Sequence, residues 1–300
     1  HALDTNTTAN NNTAVGYGCL TNATSSQNTG VGYWALNALS TGELCTTIGY
    51  QAGKALTTGN HNTALGSDAL ATATTGEKNV AIGRLAMGQG GTDPDYCVAV
   101  GAYTLEDNSG DYNTACGYQA LTNNTTGEYN TAVGSGALDA NTTGQYLCAF
   151  GYEALSTSDT ESYNNAFGYQ ALKVANGGRF NTAIGWKVMA ALTTGDDNTG
   201  VGHDTMPQLT TGDDNTAIGN NSLYALTTGD NNTALGSYSL HNMTTADANT
   251  AVGKNALYAN TTGYQNTAVG YVALATITTA VNNTAVGRAA LNQSVGNDNT

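Results

Sequence analysis

Aspartates recur in step along the second half of the chain, where they could bind a cation. Asp196 and Asp197 are followed 17 residues later by Asp213 and Asp214, and then by Asp230. Carboxylates on neighbouring coils of a chain repel one another unless a cation lies between them. Calcium takes several oxygen ligands, so these aspartates are a candidate calcium site. The alternative is an exposed turn whose charges are screened by water and salt.

The other residues that could do chemistry form no recognisable site. The histidines fall at unrelated places in the sequence and have no recurring acidic or cysteine partner: His1, His61, His203 and His241. The sequence lacks the motifs of serine hydrolases, zinc proteases and nucleotide-binding loops. We therefore expect no enzymatic activity and no cofactor other than the possible calcium.

The cysteines show neither disulfide nor metal-site spacing: Cys19, Cys45, Cys97, Cys116 and Cys148. No C-x-x-C pair occurs. Cys45 and Cys97 share a place in the repeat described next but lie three coils apart, roughly 14 Å at the usual strand spacing. We expect small, buried, free thiols.

Glycine sets the frame that positions all of these residues. It recurs at positions 16, 32, 49, 66, 83, 101, 117, 134, 151, 168, 185, 202, 219, 236, 253, 270 and 287. The step is 17 residues, apart from steps of 16 after Gly16 and Gly101 and one of 18 after Gly83. This period is too short for helix-pair repeats and matches one coil of a β-solenoid. We predict an all-β chain: a parallel β-solenoid of about 17 turns, continuous over residues 1–300.

Each copy reads approximately N-T-A-V-G-Y-x-A-L-x-x-x-T-T-G, and its positions are numbered here from the recurring glycine as zero. Position −1 is apolar in every copy, as at Val133, and position +4 is leucine or methionine in all but one, as at Leu138. We expect these two positions to supply the main apolar burial of each coil. Positions −4 to +1 are predicted as a strand with Thr, Val and Tyr on one side and Asn, Ala and Gly on the other. The Ala-Leu pair is expected to begin a second short strand or a corner.

The recurring glycine, as at Gly16, Gly134, Gly151 and Gly270, needs a physical reason. Either the backbone there has a positive φ, or no Cβ fits. Because a small residue lies two positions earlier on the same side, we favour the close approach of another backbone.

Asparagine occupies position −4 in fourteen of the seventeen copies, as at Asn113, Asn130 and Asn266. The three exceptions are uncharged, which indicates an inward side chain. We predict a ladder in which each side-chain amide bonds to the one in the next coil, so that buried polar groups are satisfied.

Few apolar side chains per coil must offset the entropy of ordering about seventeen residues. The alanine and glycine surface would let a second chain approach closely. We therefore predict an obligate homo-oligomer, with a trimer wound along a common axis as the expected form.

Two further side-chain types recur in register. Thr-Thr occupies positions +8 and +9 in ten copies, without interruption from Thr193-Thr194 to Thr278-Thr279, and regular threonines could form an ice-binding surface. The alternative is that threonine simply suits exposed turns.

Tyrosine occupies position +1 in seven copies: Tyr17, Tyr33, Tyr50, Tyr118, Tyr152, Tyr169 and Tyr271. These side chains could contact glycans or seal an interface between chains, and we favour the interface.

Charge and hydropathy exclude two classes of partner. The net charge is −14, with 22 acidic and 8 basic residues and no basic stripe, so nucleic acid is not an expected partner. No apolar run approaches the ~20 residues that a membrane-spanning helix needs.

The two ends of the sequence fall in phase with the repeat, at Ala2-Leu3 and Asn299-Thr300. The chain is therefore expected to be a segment of a longer fibre protein.

The N-T-A-V-G, N-T-A-I-G and N-T-A-L-G copies resemble the head repeats of trimeric autotransporter adhesins of the YadA type. They also resemble repeats of bacteriophage tail-fibre proteins, particularly the G-Y-Q-A-L to N-T-A-V-G stretch at Gly117–Gly134. The resemblance implies a left-handed parallel β-roll, three associated chains and a surface or virion fibre used for attachment. Adhesin heads usually repeat at about 14 residues, and the longer unit here adds a T-T-G turn.

These observations together predict the structural repeat region of an extracellular or virion fibre, a stiff rod that displays or mediates adhesion. The expected partners are other copies of the chain and, for adhesion, a host-cell surface or glycan receptor. An ice-binding solenoid or a calcium-stabilised surface layer is the alternative.

Overall fold

The computed structural model describes residues 1–4, 6, 9–90, 93–293 and 296–300. The chain divides into two compact units, His1–Phe150 and Gly151–Thr300. Both units contain the same element, one short strand per repeat. No described residue is helical, and the described ranges hold no helix that could span a bilayer.

The first unit contains nine strands. They are β1 Thr13–Val15, β2 Thr29–Val31, β3 Thr46–Ile48, β4 Thr63–Leu65, β5 Val80–Ile82, β6 Val98–Val100, β7 Thr114–Cys116, β8 Thr131–Val133 and β9 Cys148–Phe150. Each strand pairs in parallel with the next strand of the unit, with equivalent residues side by side, as Ala115 with Ala132.

The second unit repeats this arrangement with eight strands. They are β10 Asn165–Phe167, β11 Thr182–Trp186, β12 Thr199–His203, β13 Thr216–Ile218, β14 Thr233–Leu235, β15 Thr250–Val252, β16 Thr267–Val269 and β17 Thr284–Val286. Pairing is again parallel and in register. The predicted all-β parallel solenoid, with one coil per repeat, is confirmed.

Between strands the chain turns through left-handed bends rather than through a second strand. Three positions of the repeat have positive φ and are non-glycine in most coils: −5, +2 and +4, as at Tyr129 (58°), Glu153 (52°) and Leu138 (52°). The Ala-Leu pair therefore forms a corner, and the leucine at +4 points inward, with Leu138 fully buried. Such φ values are uncommon for side chains of this kind and are held here by the packing of consecutive coils.

The interior of each coil is narrow and consists of small side chains and one or two larger ones. The buried positions are asparagine at −4, alanine at −2 and +3, leucine at +4 and a mixed position at +7. Position +7 was not recognised in the sequence because it alternates between apolar residues and asparagine. Its fully or almost fully buried occupants include Leu39, Leu56, Asn108, Asn124, Asn141, Leu192, Leu209, Leu226 and Ile277.

The expected core contribution of position −1 is wrong. Val133 is only half-buried, while Ile184 is 42% and Val286 71% exposed. A strand alternates its side chains, so −3 and −1 face outward together whenever the alanine at −2 faces inward. The alanine surface that was expected to receive a second chain lies inside the coil, since Ala132 and most of its equivalents are buried.

Candidate functional site

The recurring glycine satisfies both conditions that were considered for it. Gly117 has a φ of 137°, and a Cβ added to it would lie 2.6 Å from the carbonyl oxygen of Gly134 in the next coil. Gly16, Gly151 and Gly270 have positive φ and face the following glycine carbonyl in the same way. Gly134 itself has a φ of 134°. The close approach of another backbone is confirmed, and the neighbouring backbone belongs to the adjacent coil of the same chain.

The predicted asparagine ladder is present, with more bonds than were expected. The backbone N–H of Asn130 donates to Oδ1 of Asn113 in the coil before it, at 3.0 Å. Nδ2 of Asn113 donates to the carbonyl of Gly127, at 2.8 Å. Nδ2 of Asn266 donates both to Oδ1 of Asn249, at 3.2 Å, and to the carbonyl of Ala280, at 2.8 Å. The ladder thus joins main chain and side chain of successive coils and leaves no amide of these residues unsatisfied.

The cysteines are all free, and their positions divide them into two groups. Cys19, Cys45 and Cys97 are fully buried, as expected. Cys116 is exposed and Cys148 partly buried, because they occupy the outward positions −1 and −3. The prediction of burial is therefore wrong for these two.

The aspartates at the coil edge have a structural partner. Oδ1 of Asp213 accepts the backbone N–H of Asp196 at 2.8 Å, and Oδ1 of Asp230 accepts that of Asp213 at 2.9 Å. Asp247, which lies outside the predicted set, continues this series by accepting the backbone N–H of Asp230. The side chains act as backbone acceptors between coils and are exposed at their outer edge.

Asp197 and Asp214 lie one position further along the coil and are exposed. Among the described residues, no group of three or more His, Cys, Asp or Glu side chains is arranged to hold a metal ion. This geometry gives no support to the calcium prediction, which stays a prediction from the sequence.

The side-chain hydroxyls of the threonines at +8 form hydrogen bonds to the next coil. Oγ1 of Thr193 donates to the carbonyl of Thr210 at 2.8 Å, and Oγ1 of Thr210 to that of Thr227 at 3.0 Å. The +9 threonines, such as Thr211, are exposed. A more regular outward series lies on the strands, where position −3 is threonine in seven consecutive coils of the second unit, from Thr182 to Thr284.

The tyrosines at +1 form stacked columns. Tyr17, Tyr33 and Tyr50 stack with ring centroids 5.5 Å apart in both steps. In the second unit Tyr169 stacks on Trp186 at 4.1 Å. Ring stacking of this kind adds to the attraction between coils.

A second aromatic column at position −5 was not recognised in the sequence. Tyr96, Tyr112, Tyr129 and Tyr146 stack at 5.0–5.2 Å, with planes within 8° of parallel. The tyrosines recur at 16- or 17-residue intervals, and that spacing was the signal available to find them.

A third column lies at position +5 and is confined to three coils of the second unit. Tyr224, His241 and Tyr258 stack with centroids 5.2 Å apart, and we call them the aromatic triplet. Beside it is a shallow, open depression of about 300 Å³ lined by Tyr238, Lys254, Asn255 and Tyr258.

No family model, no curated protein and no solved structure matches this chain. The resemblance to adhesin heads and tail-fibre repeats therefore stays a prediction from the sequence.

Proposed function

We propose that this chain is the structural repeat region of an extracellular or virion fibre that displays or mediates adhesion. In this proposal, copies of the chain associate side by side through their strand faces, with a trimer as the expected assembly. The observation that carries the proposal is an outward face without charge. Positions −3 and −1 hold only threonine, asparagine, cysteine and apolar residues in all seventeen copies.

The apolar half of this face, position −1, is called the outward apolar row. In the second unit it consists of Phe167, Ile184, Val201, Ile218, Leu235, Val252, Val269 and Val286. Depletion of charged residues is what distinguishes the core of a protein interface from ordinary surface. Contiguous apolar patches of this kind mark interaction sites in soluble proteins.

The size of the outward apolar row supports association. Covering a half-exposed valine or isoleucine contributes about 1 kcal/mol. Association costs about 4–15 kcal/mol in lost translational and rotational freedom. Eight such side chains from each partner reach the upper end of that cost before any tyrosine is counted.

Sedimentation equilibrium tests the proposal with a matched pair of variants. We expect the unmodified chain to sediment as a trimer at micromolar concentration. Val201→Asp together with Ile218→Asp places two charges on the outward apolar row and should yield monomers with an unchanged far-ultraviolet spectrum. Thr211→Asp together with Thr228→Asp, at exposed +9 positions, should leave the trimer intact. A monomeric unmodified chain, or equal behaviour of the two variants, would contradict the proposal.

The unbroken series of outward threonines from Thr182 to Thr284 favours ice binding as a second candidate. Hydroxyl and methyl groups in register at the strand spacing could order water in a regular array. Ice binding needs the same face exposed, whereas fibre assembly buries it. A monomeric chain that shows thermal hysteresis would therefore favour ice binding, and a trimer without hysteresis would favour the fibre.

A further inference from the structure

The aromatic side chains change position in three consecutive coils of the second unit. Position +1 is aromatic in the four preceding copies of that unit, from Tyr152 to His203. It then becomes Asn220, Ser237 and Lys254. In the same three coils position +5 becomes aromatic, which gives the aromatic triplet. In all other copies +5 is not aromatic.

This exchange accompanies the depression beside the triplet. Small or polar residues at +1 leave space on one side, while the rings at +5 form a wall on the other. Tyr238 reaches into the same area, with its ring centroid 5.3 Å from that of His241. Sites for small ligands begin at about 300 Å³, so the depression is large enough for one or two sugar rings.

The stack ends at Tyr258. One face of its ring packs against His241, with the two planes 16° apart. In the next coil position +5 is Ala275, so no ring continues the column on the other side. Tyr258 is 37% exposed. An exposed aromatic ring of this kind offers a rigid amphipathic platform for a flat apolar partner.

Polar groups without protein partners surround this platform. In the described part of the chain, Lys254 makes no ion pair, and the side-chain amide of Asn255 makes no hydrogen bond. Lys254 is also one of only eight basic residues in a chain of net charge −14. An aromatic platform beside a cation and an amide combines an apolar surface with donors for hydroxyl and carboxylate oxygens.

We propose that the aromatic triplet and its depression bind a saccharide that carries a carboxylate. The sugar packs its apolar C–H face against the rings of Tyr258 and Tyr238, which both line the depression, Lys254 pairs with the carboxylate, and Asn255 bonds to ring hydroxyls. This assignment rests on the proposed display function and names a ligand class for it, an acidic surface polysaccharide.

Saturation-transfer NMR and calorimetry on the assembled chain test the assignment. The probes are trigalacturonic acid and its uncharged counterpart galactotriose, at low salt so that the charge contribution is not screened. We expect binding of both, with the acidic trisaccharide bound more tightly. Tyr258→Ala should weaken binding of both probes by roughly tenfold. Lys254→Met should remove the preference for the acidic probe, so that the two probes bind about equally.

Tyr271→Ala is the matched control, because Tyr271 is a similarly exposed tyrosine at +1 in the next coil. This variant should bind both probes as the unmodified chain does. Absence of saturation transfer to either probe, or equal losses from Tyr258→Ala and Tyr271→Ala, would overturn the assignment. Sedimentation of the same samples separates the two proposals. An assembled chain that binds no sugar contradicts only the saccharide site, whereas a chain that does not assemble contradicts the fibre.

Discussion

Cysteine replaces asparagine at position −4 in two coils of the first unit, and Cys97 shows what this position requires. Its thiol donates to the carbonyl of Gly110 at 3.3 Å, and its sulfur accepts the backbone N–H of Asn113 at 3.4 Å. The thiol therefore provides one donor and one acceptor in place of the carboxamide, although sulfur is weaker in both roles. Position −4 therefore favours a small side chain that can both donate and accept a hydrogen bond.

Burial raises the pKa of the Cys97 thiol to about 11, from an ordinary value of 9.0. The folded protein consequently holds this proton more tightly than the unfolded chain does. The stabilisation is complete below pH 9 and is lost as the pH rises towards 11. We expect the free energy of unfolding to fall by about 2 kcal/mol more in the unmodified chain than in Cys97→Asn between pH 8 and 10.5.

Urea denaturation at the two pH values measures this difference. Cys97→Asn restores the side chain used in most other coils and carries no titrating group. Cys116→Asn serves as a control for the same substitution at an exposed cysteine. Parallel curves for the unmodified chain and Cys97→Asn would contradict the prediction.

At the scale of the coil, positions +3 and −2 of consecutive coils share one volume. Position +3 is alanine in most copies but valine at Val188, and the −2 residue of the next coil is then Gly200. A Cβ on Gly200 would lie 2.6 Å from Cγ1 of Val188. Cys19 and Gly30 repeat the arrangement, since a Cβ on Gly30 would lie 2.6 Å from Sγ of Cys19. A larger side chain in one coil is compensated by a missing one in the next.

Gly200→Ala alone should destabilise the protein by about 1–3 kcal/mol, because the added methyl overpacks against Val188. Val188→Ala alone should also destabilise it, by leaving a cavity. The double variant recreates the Ala–Ala pair of the ordinary coils and should lie within about 1 kcal/mol of the unmodified chain. Thermal or urea unfolding of the four proteins completes the cycle, and additive losses would show that the two positions do not share a volume.

The sequence was sufficient to predict the elements whose side chains have a single structural role. Gly117 must lack a Cβ, Asn130 must bond along the coils and Leu138 must fill the corner, so each recurs almost unchanged. The apolar character of Val133 predicts a core position, whereas strand alternation pairs it with the outward Thr131.

Other features could not be predicted because several residue types satisfy the same position. Position +7 is filled by Leu56 in one coil and by Asn124 in another, which bonds to Asn108 across coils at 2.6 Å. Both choices fill the interior, one through apolar packing and the other through a second, shorter asparagine ladder. The depression beside the aromatic triplet depends on a joint change at positions +1 and +5. Considering each position of the repeat by itself does not reveal this change.

For the molecule as a whole, interactions run from each coil to its neighbours. Within each unit the strands pair only in chain order, and the asparagine, threonine and aromatic series all connect residues about one repeat apart. Stability of such an array is approximately the sum of the coils and of the interfaces between neighbours. A complete coil is therefore the unit that can be removed without disturbing the rest.

Deletion of Thr216–Asn232, one coil of 17 residues, tests this modularity. The deletion joins Asn215 to Thr233 and preserves the N-T-A-L-G register, so equivalent residues stack again. We expect the shortened chain to keep its β-sheet circular dichroism and to melt cooperatively within a few degrees of the full chain.

Deletion of the eight residues 225–232 is the contrasting variant, because it leaves about half a coil at the join. Residues beyond the join then no longer align with equivalent residues of the preceding coil, so polar groups are buried without partners. That variant should lose β structure or melt far lower, as followed by circular dichroism on heating. Equal melting of the two deletions would show that the register of 17 residues does not control stability.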